Sequence, residues 1–170
     1  MIDYTIRNIE AKDDPVIAQI IRYNLKDHNL DIPGTVYFDE GLDHLSEFYN
    51  TDDRRYYVAE ISGKIIGGIG FAPFKTMEKT AELQKIYLID EVKGQGIGYE
   101  LIDYVEEQMR EAGFKRSYLE THDNLQAAIH IYKKSGYREI ERPKEVVHST
   151  MNRFFIKHLK ADLRQKHHNS

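Results

Sequence analysis

The segment Glu91-Val-Lys-Gly-Gln-Gly-Ile-Gly-Tyr-Glu-Leu101 sets Gly94, Gly96 and Gly98 at alternate positions. A strand-like run, Thr80–Asp90, precedes it, and a helix-like run, Gly96–Ala112, begins inside it. The first N–H groups of a helix have no intrahelical partner and carry about half a positive charge. Glycines let the main chain curl until several such donors point at one anion. A plain turn uses one or two glycines for positive φ, whereas three in alternation at a helix start favour a phosphate. A P-loop needs Lys-Ser/Thr directly after its last glycine, and here Tyr99-Glu100 follows. A dinucleotide fingerprint needs Gly-x-Gly-x-x-Gly near the first strand, and here the spacing is Gly-x-Gly-x-Gly past mid-chain.

Outward from this loop, the pattern reads as a mixed α/β layer of about seven mostly antiparallel strands and about four helices. Tyr4–Ile9 is the first strand. A helix follows, with Asp13 or Asp14 as N-cap and Pro15 at its first position. Leu42, Leu45 and Phe48-Tyr49 suggest a short second helix. Tyr56–Ile61 and Lys64–Phe74 flank Ser62-Gly63, a tight hairpin turn. In the helix 96–112, Ile97, Leu101, Val105, Met109 and Ala112 make one apolar stripe, and Gly113 is its C′ residue. Ser117–Thr121 is a strand, Leu125–Ser135 a helix closed by Gly136, and Tyr137–Ile140 and Met151–Leu159 are final strands. Residues 1–160 form one domain, followed by a polar, frayed tail over 161–170.

The chain has 170 residues and a formal net charge of −4, which argues against a general nucleic-acid binder. It has no cysteine, which excludes disulfides, thiolate metal sites and an acyl-cysteine intermediate. The eight histidines show no metal-ligand spacing. No run approaches the ~18 apolar residues of a membrane span. The expectation is a cytoplasmic protein with no metal and no membrane or nucleic-acid partner; a homodimer stays open.

With these residues in view, the chain resembles the GCN5-related N-acetyltransferase (GNAT) superfamily. Its signature loop, Gln/Arg-x-x-Gly-x-Gly/Ala, corresponds to Lys93-Gly94-Gln95-Gly96-Ile97-Gly98, with Lys93 in place of Gln or Arg. A second stretch, Asn124-Leu-Gln-Ala-Ala-Ile-His-Ile-Tyr132-Lys-Lys-Ser-Gly136-Tyr137, is similar to Asn-x-x-Ala-x-x-x-Tyr-x-x-x-Gly-Phe/Tyr, one residue longer between Asn and Tyr. The resemblance implies a sheet split between the long central strand and the next, with acetyl-CoA in the split.

It further implies that main-chain groups of Ile86, Tyr87 and Leu88 hold the thioester. Lys93, Gly94, Gln95, Gly96, Ile97, Gly98 and Tyr99 take the pyrophosphate, and Asn124 also contacts the cofactor. Tyr132 protonates the leaving sulfur. An alkyl amine near pKa ~10.4 must lose a proton before it attacks. Glu82, which shares a face with Gln84 by strand alternation, and Glu120 are the candidate bases. The bland readings are surface carboxylates for both and plain core for Tyr132. The acceptor site falls on residues 28–49 and 142–150. Tyr37, Phe38, Asp39, Glu40 and Asp43 there suit either a cationic amine or an ordinary surface turn. The implied activity is acetyl transfer from acetyl-CoA to a primary amine by direct attack in a ternary complex. The alternative is a non-catalytic acyl-CoA sensor or interaction module.

Overall fold

A computed structural model describes residues 3–147 and 149–161. In order, the elements are β1 (Thr5–Asn8), α1 (Asp14–Asp27), α2 (Leu45–Phe48), β2 (Asn50–Thr51), β3 (Arg54–Ile61), β4 (Lys64–Pro73), β5 (Thr80–Leu88), α3 (Ile97–Glu111), β6 (Arg116–Thr121), α4 (Gln126–Lys134), β7 (Arg138–Ile140) and β8 (Arg153–His158). The strands form one sheet in the order β1-β3-β4-β5-β6-β8-β7, with β2 paired to β3. Every pair is antiparallel except β5–β6. The expected mixed, mostly antiparallel sheet is therefore present, with eight strands because Asn50–Thr51 adds a two-residue rung. The expected tail lies, from residue 162, outside the described residues.

Local signals account for most boundaries. Ser62 and Gly63 have φ of 48° and 84°, and Ile61 pairs with Lys64, as a two-residue hairpin with both central residues left-handed requires. At the end of α3, Gly113 has φ 95°; its N–H reaches the Arg110 carbonyl at 3.0 Å, and the Phe114 N–H reaches that of Met109 at 3.0 Å. Gly136 closes α4 the same way, with Gly136 bonded to Lys133 at 3.1 Å and Tyr137 to Tyr132 at 3.0 Å. These paired bonds satisfy carbonyls that a helix end leaves without partners.

The start of α1 departs from simple capping. Pro15 is its second residue, not its first, and Asp13 makes no side-chain cap bond. The Asp13 carboxylate instead accepts from the Arg7 guanidinium at 2.7 and 2.9 Å and from the Glu10 N–H at 2.8 Å. Asp14 accepts from the Ser46 N–H at 2.9 Å and hydroxyl at 2.6 Å. Both aspartates are buried; for Asp13 a charged partner outweighs a single cap bond, and Asp14 takes two bonds from Ser46 in its place.

Two apolar layers sandwich the sheet. On one face Leu101, Ile102, Val105 and Met109 of α3 and Ile129 and Tyr132 of α4 pack on Ile69, Phe71, Ala81 and Leu83. On the other, Ile17, Ile21 and Leu25 of α1 and Leu42, Leu45 and Tyr49 pack on Tyr56 and Val58. Alternation along β3 divides the layers: Tyr57 and Ala59 face one, Tyr56 and Val58 the other.

Candidate active site

The site begins where two strands part. β5 and β6 pair in parallel over Thr80–Glu82 and Arg116–Tyr118 only. Beyond Glu82 the stretch Leu83–Leu88 keeps β4 on one side and has no ladder to β6 on the other. The β4–β5 register also slips: Gly68 faces Tyr87, but Gly70 faces Gln84. The extra residue in β5 is a bulge, and Lys85 within it has φ 53°.

The glycine run of β4 makes this bulge feasible. A Cβ on Gly68 would lie 2.5 Å from the Tyr56 ring, and one on Gly70 2.6 Å from it. The ring occupies that space, and its hydroxyl donates to the Lys85 carbonyl at 2.8 Å. Glycine inside a strand commonly marks such a close approach. The run Gly67-Gly68-Ile69-Gly70 was the sequence signal for this feature.

Past Leu88 the chain turns through Asp90–Val92 into the glycine loop. Gly94 and Gly96 have φ of 80° and 84°, and Gly96 is the N-cap of α3. A Cβ on either would meet nothing within 4 Å, so glycine is required there by conformation and leaves the approach open. Gly98 differs: its Cβ would meet Ile131 at 3.3 Å, so it lets α3 approach α4. The Lys93 N–H bonds the Asp90 carbonyl, and that of Glu100 bonds Gly96, but the six N–H groups of Gly94, Gln95, Gly96, Ile97, Gly98 and Tyr99 find no partner among the described residues. Six donors at a positive helix end match a diphosphate.

The Lys93 side chain is turned elsewhere, donating to Asn24 and Asp90 at 2.7 Å each. Asn24 donates in turn to the Leu88 carbonyl at 3.1 Å. Lys93 thus ties the loop to α1, and the donors left for an anion are main-chain ones. Ile86, Tyr87 and Leu88 occupy the parted stretch between bulge and loop. Asn124 donates to the His28 carbonyl at 2.9 Å, which docks the start of α4 on the end of α1.

Two groups of ionisable side chains flank the parting. On the α1 face, Gln84 donates to Glu82 at 2.8 Å, Tyr49 donates to Gln84, and Lys85 donates to Tyr49 at 3.1 Å. Burial, with the Glu120 charge adding, pushes the Glu82 carboxyl up to about 7, against the opposing Gln84 hydrogen bond and Lys85 charge. Burial likewise lowers Lys85. Glu120 is held by Tyr118 at 2.9 Å and Ser149 at 2.8 Å. With both oxygens committed, it is less free than Glu82 to take a proton from a ligand.

On the α3–α4 face stands Tyr132, buried at 6% exposure. Burial and neighbouring Tyr87 hold its hydroxyl protonated, well above the usual tyrosine range. That hydroxyl makes no hydrogen bond among the described residues and is not sealed from solvent. A phenol in this state has a proton to give.

Of the two segments expected to line the acceptor side, residues 28–49 supply Tyr49 and residues 142–150 supply Ser149. They meet where Thr150 donates to the Pro33 carbonyl at 3.4 Å. Asp43 is committed to Arg22 at 2.7 and 2.8 Å, so it braces α1. Sequence reasoning reached Glu82, Glu120 and Tyr132 but missed Tyr49, Lys85, Tyr118 and Ser149, whose places depend on the bulge and on loop packing. A broad groove between β1 and α3 reaches the glycine loop at Gln95 and Ile97 and also carries Asp3, Glu100, Asp103 and Glu107; a phosphate placed among those four carboxylates would be repelled.

Comparison with known proteins agrees with this geometry. The chain is 36% identical over 138 residues to YjgM of Escherichia coli strain K12, described as an uncharacterised N-acetyltransferase, covering 80% of this chain and 83% of YjgM. A GNAT-family acetyltransferase from Staphylococcus aureus Mu50 superposes with TM-score 0.82 at 22% identity, covering 93% of this chain and 100% of that one. Salmonella typhimurium yncA, solved with acetyl-CoA, superposes with TM-score 0.72 at 18% identity, covering 94% and 96%. Residues 22–137 match the profile described as the acetyltransferase (GNAT) family. The chain belongs to that family and is an acyltransferase.

Proposed function

We propose that this protein moves the acetyl group of acetyl-CoA onto a primary amine by direct attack in a ternary complex. The observation that carries this reading is the placement of Glu82 and Tyr132 on opposite faces of the sheet, beside the parted strands β5 and β6. The six free N–H groups of 94–99 hold the diphosphate. Main-chain groups of Ile86, Tyr87 and Leu88 hold the thioester carbonyl, where shielding from water strengthens their effect on developing negative charge.

Glu82 then removes a proton from the ammonium of the acceptor, directly or through one water. The amine nitrogen attacks the thioester carbon from the α1 face. The carbon–sulfur bond breaks, and the sulfur leaves toward α4, where Tyr132 gives it a proton. A neutral tyrosine hydroxyl can fill this role, because a thiolate leaves best when it is neutralised as it forms. The nitrogen sheds its second proton to water as the amide forms, and the Tyr132 phenolate regains one from water before the next turnover. Base and acid on opposite faces keep the incoming amine and the departing thiol apart.

The test measures thiol release from acetyl-CoA across a panel of small amines, amino acids and peptides. Glu82→Gln and Tyr132→Phe are assayed beside the parent. Turnover that falls in both variants, with coenzyme A binding kept, is the expected result. Unchanged turnover in both overturns the assignment.

A further inference from the structure

Glu82 ends a hydrogen-bond chain in which every donor points the same way. The Lys85 ammonium donates to the Tyr49 hydroxyl at 3.1 Å, Tyr49 donates to the Gln84 carbonyl oxygen, and the Gln84 amide donates to Glu82 at 2.8 Å. The chain starts at a cation and finishes at a carboxylate, with two neutral groups between. Simple alternation would put Lys85 on the face opposite Gln84. The bulge at Lys85, pinned by Tyr56, brings both side chains to the same tyrosine. The Lys85 ammonium also lies 5.5 Å from the centroid of the Tyr49 ring.

We infer that Lys85 and Tyr49 are positioning residues that act through Gln84, so that the basicity of Glu82 is set by a cation it does not touch. This rests on the reading of Glu82 as the base. A cation at the head of a row of aligned dipoles polarises each bond in turn and stabilises negative charge at the foot. The row is needed because the other neighbours oppose ionisation. Burial disfavours the carboxylate, and Glu120 on β6 repels it. Tyr118 on β6 gives its hydroxyl to Glu120, not to Glu82. Arg142, from the loop before β8, acts on Tyr118. Burial works against the Lys85 charge, and Glu82 and Asp39, the latter from the segment before α2, work for it. Without the row, less of Glu82 would be ionised at neutral pH, and less of it could accept a proton from an amine.

The chain also fixes geometry. Tyr49 is 3% exposed and packs beneath α1, so its hydroxyl is a rigid post. Gln84, bonded at both ends of its amide, has one orientation that satisfies both partners, and in it the N–H side faces Glu82.

The experiment is a pH titration by carbon NMR of protein labelled at the glutamate carboxyl carbons, with no acceptor present. Glu82→Gln identifies the Glu82 resonance. Lys85→Met, Tyr49→Phe and Gln84→Leu break the row at three places, and Lys85→Arg keeps its charge. The expected result is a Glu82 midpoint that rises by about one pH unit in the three breaking variants and stays near the parent value in Lys85→Arg. A midpoint unmoved in any two breaking variants whose spectra show the folded state overturns the inference. The base reading fails separately. If Glu82→Gln transfers acetyl groups at the parent rate while the midpoint shifts still appear, the row stands and the catalytic role of its last member does not.

Discussion

The Tyr56 hydroxyl donates to the main-chain carbonyl of Lys85 at 2.8 Å, across the glycines of β4. This bond holds the bulge that opens the sheet and aims two side chains at Tyr49. Tyr56→Phe leaves that carbonyl without its partner, and a lost buried hydrogen bond of this kind costs about 1–3 kcal/mol. Gly68→Ala forces the ring to move and costs about 1–3 kcal/mol by overpacking. Urea unfolding measures both. Coenzyme A affinity should fall in both variants, although neither residue belongs to the glycine loop.

Glu82 predicts two pH effects. As the base it must be ionised, so the rate rises as pH passes about 7. Glu82→Gln removes that limb and lowers kcat by roughly 10²–10⁴-fold. Stability moves the other way. The folded carboxyl is raised above its unfolded value of ~4.3, so between the two values the native state binds a proton that the unfolded chain has released. Stability therefore falls as pH rises through that window. Glu82→Gln removes this fall, so its urea midpoints at about pH 5 and about pH 8 lie closer together than those of the parent.

Tyr132→Phe separates catalysis from packing. The ring fills the α4 side of the core, whereas the hydroxyl bonds nothing among the described residues. The variant should keep its thermal midpoint and its acetyl-CoA affinity while kcat drops about 10²-fold or more. Tyr132→Ala also opens a cavity and loses about 3–5 kcal/mol.

Gly96→Ala tests the loop. Its Cβ meets nothing within 4 Å, so the cost comes from φ 84° alone. A left-handed alanine costs about 1–2 kcal/mol, paid in stability or in a relaxed loop whose N–H groups no longer converge. Calorimetry with coenzyme A should show binding weakened about tenfold, that is about 1.4 kcal/mol. Gly98→Ala acts by another route: it crowds Ile131 and lowers stability more than affinity.

Lys157 and Glu106 give a prediction remote from the site. Glu106 is 2% exposed and accepts from Lys157 at 2.8 Å and from Tyr137 at 2.9 Å. Lys157→Met leaves the buried carboxylate with Tyr137 and, at 4.0 Å, Arg110, so it should cost up to about 3 kcal/mol, nearly independent of salt, with kcat per folded molecule unchanged.

Short-range chemistry decided much of this protein in advance. The Ser62-Gly63 turn, the helix ends at Gly113 and Gly136, the apolar stripe of α3 and the three alternating glycines are each read within a few residues, because backbone conformation and helix-end satisfaction are local properties. Their order along the chain was enough to imply the layered fold, whereas the place of the split came from the family resemblance. The tertiary structure decided the rest. It bonded Asp13 and Asp14 to Arg7 and Ser46 instead of to the start of α1, turned Lys93 away from the anion loop, and inserted β8 between β6 and β7. It also raised Glu82 toward neutrality, bound both oxygens of Glu120, and gathered Tyr49, Gln84 and Lys85 into one chain around a single bulge. Those outcomes depend on burial and on partners dozens of positions away, which no local pattern encodes.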